Sequence, residues 1–555
     1  MHPKLMILGG YGVFGGRLAE LLKDAPVEML ICGRSLDRAQ AFCDALQGSA
    51  HLTPAAVDRD QITTTLDLHQ PDIVVDATGP FQTYGDDPHH VIRACIDHGI
   101  NYLDFADGAD FVAGVSEHDA QSKAAGVFVL SGVSSFPVLS AAVLRVMAKQ
   151  LDIDSVTAGI APSPFAGVGL NVMRAVVGYA GSPVKLTRNG KQTTAAGLTE
   201  SRYYTVSPPG DLPLHNIRFS LVDVPDLQVL PMEHPGIKDI WVGAGPGPEP
   251  LHIILNLLAK ARARFKLPSL LPAAPLFYRV LNLMRFGEHR GGMFVTATGT
   301  QNGQPATISW HLLAEGDDGP LIPSMAIAAV IQKCLDGTPP THGARPATHA
   351  LELSDYDHLF KQRTITTGFR HSNDDSLPLY PRLLGNRFAS LPPQVQALHN
   401  SSQPRQWSGT ATITAGTNAI TRSIARLFRF PTRNGTCPVT VHFDPTTTAE
   451  RWTRQFGPQK LTSQQYAGTG RNAHLLVERF GPFAVGLALV IDNQKLRMIP
   501  RRWTFLGLPL PRPLLPGGDT FETDENGGFC FHVEICLPLL GRLVKYQGNL
   551  HPAAD

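Results

Sequence analysis

Residues 4–15 read KLMILGGYGVFG: a mainly apolar run over Lys4–Leu8, then Gly10-Tyr11-Gly12-Val13-Phe14-Gly15, which leads into the helical spacing of residues 14–23. Strand, glycine-rich turn and helix in that order give a GxGxxG pattern its physical weight. Gly10 is expected to permit the tight turn and Gly12 to let the backbone approach a pyrophosphate. Gly15 is expected to let the helix pack closely while its N-terminal amides face the anion. Val13 and Phe14 belong to the same cofactor-binding turn.

The end of the second apolar run discriminates between the two nicotinamide dinucleotides. A carboxylate there would hydrogen-bond the adenosine ribose and repel a 2′-phosphate. The sequence has Cys32-Gly33-Arg34-Ser35 instead. Arg34 offers a planar fork for phosphate and Ser35 a hydroxyl donor, so NADP(H) is expected over NAD(H). The fourth run closes on Asp76-Ala77-Thr78-Gly79-Pro80-Phe81, at the carboxyl edge where an open α/β sheet places its ligand.

Outward from these turns, strands at residues 4–8, 27–32, 52–57, 72–76, 102–104 and 127–130 alternate with helical segments such as 14–23 and 89–98. That alternation implies a doubly wound parallel sheet covered on both faces. From residue 155 to about 310 the strands lengthen and Gly/Pro-rich turns separate them, which predicts a second, more antiparallel domain. A helix follows at 323–335, and 336–346 reads as a loop. Beyond about Leu383, short strands rich in Thr, Val, Phe and Arg predict a curved antiparallel sheet or barrel. The expected division is 1–135 for cofactor binding, 136–345 as a second α/β domain, 346–382 as linker, and 383–555 as the β-rich domain.

At 555 residues, with 43% hydrophobic and 17% charged residues, the chain can bury several cores and is not disordered as a whole. Its formal charge of +1 gives no global attraction to phosphate backbones, so no nucleic-acid partner is expected. From Ser401 onward the charge is +7, against −6 for the remainder. Seven cysteines without a CxxC pair fit neither a disulfide framework nor a common zinc site, which predicts reduced thiols, no metal and a cytoplasmic setting. No signal peptide is read at the N-terminus. The apolar stretch 251–286 is broken by Lys260, Arg262, Arg264, Lys266 and several prolines, so no transmembrane segment is expected. Its amphipathic halves offer a cover for the substrate, a peripheral membrane contact or a homodimer interface.

The runs GPFQTYG (79–85), ACIDHGINYLDFADG (94–108) and SGVSSFP (131–137), together with the glycine turn, resemble the saccharopine dehydrogenase-like family over roughly Met1–Arg345. The resemblance implies a Rossmann-type first domain, an NAD(P)(H) cofactor and a small-molecule substrate. It also implies that 136–345 is the substrate domain and that its helix near 323–335 returns to the first. It implies Gly10, Gly12 and Gly15 at the pyrophosphate, Arg34 and Ser35 at the 2′-phosphate, and Thr78, Gly79, Pro80 and Phe81 near the nicotinamide ribose. Tyr102 and Asp104 are then the catalytic pair bordering a cleft that the Ser134–Pro137 helix start also lines. Asp107, His98 and His118 remain further acid–base groups. LLGNRF (383–388), RLFRFP (426–431), ERWTRQFG (450–457), ERFGPF (478–483) and FHVEICLPLLGRLVKYQGNL (531–550) resemble a domain of unknown function often fused to oxidoreductases. The joint expectation is hydride transfer to an imine, an activated C=C or a C=O. The alternative is a catalytically silent NADP-binding scaffold or sensor carrying a lipid-binding or assembly module.

Overall fold

Apolar runs too short and too continuous for surface helices form the first sheet. The computed structural model describes residues 2–167, 169–372 and 376–553. Strands β1 (Lys4–Leu8), β2 (Glu28–Gly33), β3 (His51–Ala56), β4 (Ile73–Asp76), β5 (Asn101–Asp104) and β6 (Phe128–Ser131) lie in the order β3-β2-β1-β4-β5-β6. All are parallel. Leu5, Met6, Ile7, Val74, Val75, Leu103, Val129 and Leu130 are fully buried, because helices cover both faces. The strand order reverses between β1 and β4, the position where such a sheet opens a ligand crevice at its carboxyl edge.

The second sheet is mixed. Its strands are β7 (Asp152–Ala161), β10 (Ser201–Val206), β11 (Leu214–Leu221), β12 (Asp239–Ala244), β13 (Arg290–Gln301), β14 (Gln304–Glu315) and β16 (Ile365–His371), with the short hairpin β8 (Pro183–Arg188) and β9 (Lys191–Ala196) and the separate strand β15 (Gly343–Pro346) between them in the chain. The sheet order is β10-β11-β12-β7-β13-β14-β16, with β7 parallel to β12 and antiparallel to β13. Asn302 and Gly303, at φ 52° and 77°, make the two-residue turn that pairs β13 with β14 from Gln301↔Gln304 outward.

Two expected irregular segments are ordered elements. Within 336–346, β15 adds to the first sheet as a seventh strand, parallel to β6. Residues 346–382 hold a helix (Leu353–Lys361), β16 and the start of another helix (Leu379–Leu384) rather than a linker. Of the polar stretch 370–376, residues 373–375 lie outside the described residues.

The chain divides into two compact units, Met1–Arg202 with Arg218–Thr366, and Tyr203–Ile217 with Thr367–Asp555. The second unit contains a closed antiparallel barrel of ten strands. Arg405–Ala415 pairs with the last strand, Gly541–Pro552, and Phe483–Asp492 pairs with Lys495–Phe505 to complete the ring. Closure leaves no unpaired edge along the ring. The barrel is not filled solid: it encloses a cavity of about 380 Å³ whose apolar wall includes Val441, Phe443, Phe529 and Leu550. Arg454, Gln465, Glu478 and Glu522 also reach it. Arg454 is held by Glu478 at 3.1 Å, Glu478 also accepts from Ser463 at 2.6 Å, and Glu522 pairs with His399 at 2.6 Å.

Candidate functional site

The turn after β1 is built on backbone-to-backbone approach. Its positive φ falls on Gly9, at 73°, so Gly9 rather than Gly10 performs the tight turn. Gly10 N–H donates to the Cys32 carbonyl at 2.9 Å and ties the turn to β2. A Cβ on Gly12 would stand 2.9 Å from the Gly9 carbonyl oxygen, and one on Gly15 only 2.4 Å from it. Helix α1 (Val13–Leu22) therefore starts against the strand end. Its N-cap, Gly12, makes no side-chain cap and its first turn carries no acid. Those amides and the positive end of the helix dipole suit a pyrophosphate, so the cradle fits a dinucleotide.

At the end of β2, Arg34 is exposed and Ser35 caps helix α2 (Leu36–Ala45) by accepting from Arg38 N–H at 3.4 Å. Two neighbours escaped the sequence reading. Tyr11 lies against Gly33, where a Cβ would come within 2.4 Å of its ring, and its hydroxyl accepts from Ser35 N–H at 3.1 Å. The Arg38 guanidinium sits 4.8 Å above the Tyr11 ring. Ser35 as a helix cap places Arg38 one turn along, on the side facing the turn, and that capping pattern was the available signal.

At the end of β4, Asp76 is fully buried and accepts from Thr78 N–H at 2.9 Å and from Thr78 Oγ1 at 2.6 Å. Tyr84 also donates to it, and Tyr102 does so at 3.4 Å. Burial pushes the Asp76 carboxyl up, against those hydrogen bonds. Thr78 is thus held by Asp76, and Asn171 Nδ2 donates to the Gly79 carbonyl at 2.7 Å, fixing the turn through Pro80 from above. Phe81 is buried, stacked on Tyr84 at 4.8 Å and packed against Phe111 at 5.0 Å, so its ring supports the turn from inside rather than facing a ligand.

Tyr102 and Asp104 do not form an open acid–base pair. Both are fully buried. Tyr102 is directed at Asp76, and Asp104 Oδ1 accepts from Ala106 N–H at 2.9 Å and Gly132 N–H at 2.7 Å, pinning the loops after β5 and β6 together. Burial pushes Asp104 up to about 7 despite these two amides. His98 contacts Asp67 and its own helix, and His118 pairs with His89 at 3.1 Å. Neither histidine lines the cavity described next.

A cavity of about 490 Å³ lies against the glycine helix. Val13, Phe14 and Ser135 line it at that end, and Met173, Leu255 and Met293 belong to its almost wholly apolar wall. Ser134, half-buried, is next to it in the chain; Ser135 is the residue that reaches it. Ser135 Oγ and both ring nitrogens of the buried His252 find no hydrogen-bond partner among the described residues. Burial, then the Arg218 charge, lowers His252 to about 4, so its imidazole is neutral. Buried polar atoms are ordinarily paired, and two unpartnered side chains in the lining of one cavity suit a ligand able to supply the partners. Outside that lining, Tyr179 stands near Asp223 and Asp107; burial and then the Asp110 and Asp107 charges raise Asp223 to about 6.

Residues 5–130 match the family model described as saccharopine dehydrogenase NADP binding domain, and residues 391–550 match domain of unknown function (DUF4166). Among solved structures, the chain is similar to apo saccharopine dehydrogenase (L-Glu forming) from Saccharomyces cerevisiae, at 14% identity and a TM-score of 0.45, over 66% of this chain and 99% of that one. It is also similar to an amine dehydrogenase from Mycobacterium smegmatis, at 14% identity and a TM-score of 0.32, over 62% and 94%. No curated protein matches the sequence significantly. The matched cofactor domain, with its cradle and crevice, supports a dehydrogenase-type oxidoreductase with a nicotinamide cofactor and a small-molecule substrate. Within that class, the chain joins a saccharopine dehydrogenase-like NAD(P)-binding domain to a DUF4166 domain.

The raised Asp104 carboxyl makes stability pH-dependent with a definite sign. Below the ordinary carboxyl range both folded and unfolded states hold the proton; as pH climbs toward 7 the unfolded state releases it first, and the folded state loses stability until its own carboxyl ionises. Asp104→Asn keeps an acceptor for the two amides without the charge. Urea titrations should show the variant gaining on the wild type between about pH 4 and pH 7. A stability difference constant across that range would refute the account.

Proposed function

We propose that this chain is an NADP(H)-dependent oxidoreductase that transfers hydride to an imine, activated C=C or C=O of a small molecule, with residues 1–135 and 136–345 acting together. The observation that carries the reading is the meeting of the glycine cradle and the apolar cavity at Val13, Phe14 and Ser135. A bound nicotinamide supplies hydride; the protein's part is to bind, orient and exclude water.

The cradle residues Gly10, Gly12 and Gly15 hold the pyrophosphate. Arg34, Arg38 and Ser35 take the 2′-phosphate; β2 itself closes on Cys32 and Gly33 without a carboxylate, and the nearest acid in the chain, Asp37, stands in the first turn of α2. Thr78 and the Gly79–Pro80 turn, fixed by Asp76 and Asn171, border the ribose. Tyr102 and Asp104 are positioning residues: one supports Asp76, the other sets the loop that leads into Ser134 and Ser135. Ser135 and the neutral His252 present the unsatisfied polar groups to the reacting end of the substrate.

The barrel is read as a ligand-binding module, since its cavity couples an apolar wall to buried Glu478, Glu522 and Gln465. That composition suits a molecule with an apolar body and a polar head. A barrel serving assembly alone has no need of such a cavity.

Calorimetry on the full chain should find NADPH bound more tightly than NADH. Arg34→Ala and Arg38→Ala should each weaken NADPH by roughly tenfold or more while leaving NADH unchanged, as expected for a lost charge-assisted hydrogen bond of about 1.5–3 kcal/mol. Equal affinities would assign NAD(H). Molecules extracted from the purified protein and returned with NADPH should consume dihydronicotinamide absorbance; cofactor binding with no consumption would favour the silent sensor.

Val441→Trp, which fills the barrel, should remove one class of bound 1-anilinonaphthalene-8-sulfonate without changing NADPH affinity. Unaltered probe binding in a folded variant would leave the barrel with an assembly role.

A further inference from the structure

The helix Glu249–Phe265 turns its apolar stripe outward. Its inward residues include His252 and Asn256; Asn256 Nδ2 donates to the Leu198 carbonyl at 2.9 Å, and its Oδ1 accepts from Arg218 at 3.1 Å and from Ser220 at 3.2 Å. Outward, at the i, i+1, i+4, i+5 spacing of a single face, stand Ile253, Ile254, Leu257 and Leu258, with Leu257 60% exposed and Phe265 beyond them 71% exposed. A water-facing helix ordinarily carries the reverse pattern. The following helix, Ala274–Leu283, adds Leu276 at 63% and Leu283 at 85% exposure. Lys260, Arg264, Lys266 and Arg279 are exposed among these apolar residues.

Ile254 and Leu276 belong to both surfaces: they are exposed, and they line the 490 Å³ cavity. The outward face is thus also the cavity's rim, and the inner side of the same helix carries His252.

We propose that this two-helix face seats on an anionic lipid surface and that the cavity draws from it an apolar-chain lipid whose polar end is met by His252 and Ser135. The proposal rests on the hydride-transfer reading above and names its substrate class and partner. Apolar side chains at the acyl boundary with lysine and arginine among them are the composition of an interfacial helix. Basic residues near an anionic surface add electrostatic attraction to it. A second copy of this chain would instead bring Lys260, Arg264, Lys266 and Arg279 toward like charges. No helix among the described residues is long and apolar enough to cross a bilayer.

The full chain should co-float with vesicles of phosphatidylcholine and phosphatidylglycerol, float far less with phosphatidylcholine alone, and be released by high salt. Leu257→Ser with Leu258→Ser should abolish flotation while NADPH affinity stays unchanged, which separates failure of this proposal from failure of the cofactor reading. cis-Parinaric acid, a long-chain fluorescent acid carried in the same vesicles, should transfer to the wild-type protein. Val176→Trp, which narrows the cavity, should reduce that transfer about tenfold without preventing flotation. Absence of flotation, or flotation indifferent to the leucine substitutions, would overturn the docking. So would sedimentation showing a dimer that the same substitutions dissociate, since the face would then belong to a second copy. Undiminished transfer in Val176→Trp would overturn the cavity as the acceptor.

Discussion

The closest backbone approach in the glycine turn, where a side chain on Gly15 would overlap the Gly9 carbonyl at 2.4 Å, governs the geometry around it. Because that space is empty, α1 can begin against the end of β1 instead of standing off from it. Its amides then face the crevice, and Val13 and Phe14 reach the cavity. The same placement carries outward: Phe14 stacks on Phe105 at 5.5 Å, its carbonyl accepts from Ser324 at 3.0 Å, and the helix Ile322–Leu335 packs along α1. A methyl group at Gly15 would push α1 away and disturb the cofactor cradle, the cavity wall and the returning helix together.

Local pattern made the first sheet legible, since each apolar run is short, bounded by turns and separated by helical spacing. The surroundings of Tyr102 and Asp104 were not legible, for a physical reason. Tyr102 and Asp104 carry chemistry-bearing groups at a strand end, but sequence cannot show whether a strand end opens to solvent or is roofed by the next loop. Here Ala106 and Gly132 roof it. The strand Gln459–Ala467 was hidden differently: its inward residues include Ser463 and Gln465, buried as partners for other polar groups, so alternation of hydrophobicity is nearly absent. Residues 346–382 misled through their polar and charged content, although β16 takes its order from β14 beside it.

His252 illustrates a related limit. In sequence it is one of two polar residues, with Asn256, in the apolar run 251–259, which reads as an exposed position. The structure turns it inward because Asn256, one turn later, is anchored to Leu198, Arg218 and Ser220, and that anchor fixes the rotation of the whole helix. A hydrogen-bonded asparagine therefore decides which face is presented to solvent, and the leucines are exposed as a consequence.

The two cavities answer the same physical problem in different settings. Hydride transfer to a polar double bond proceeds best where bulk water is excluded and the few remaining dipoles are already oriented. An apolar wall with Ser135 and a neutral His252 meets both requirements beside the cradle, and a charged imidazole there would defeat the second by demanding solvation. The barrel cavity instead keeps its polar groups partnered, Arg454 by Glu478 and Glu522 by His399. Groups partnered in that way can bind a polar head but have little left with which to stabilise a developing charge. Under the proposed function, retention falls to the barrel and reaction to the cavity beside the glycine helix.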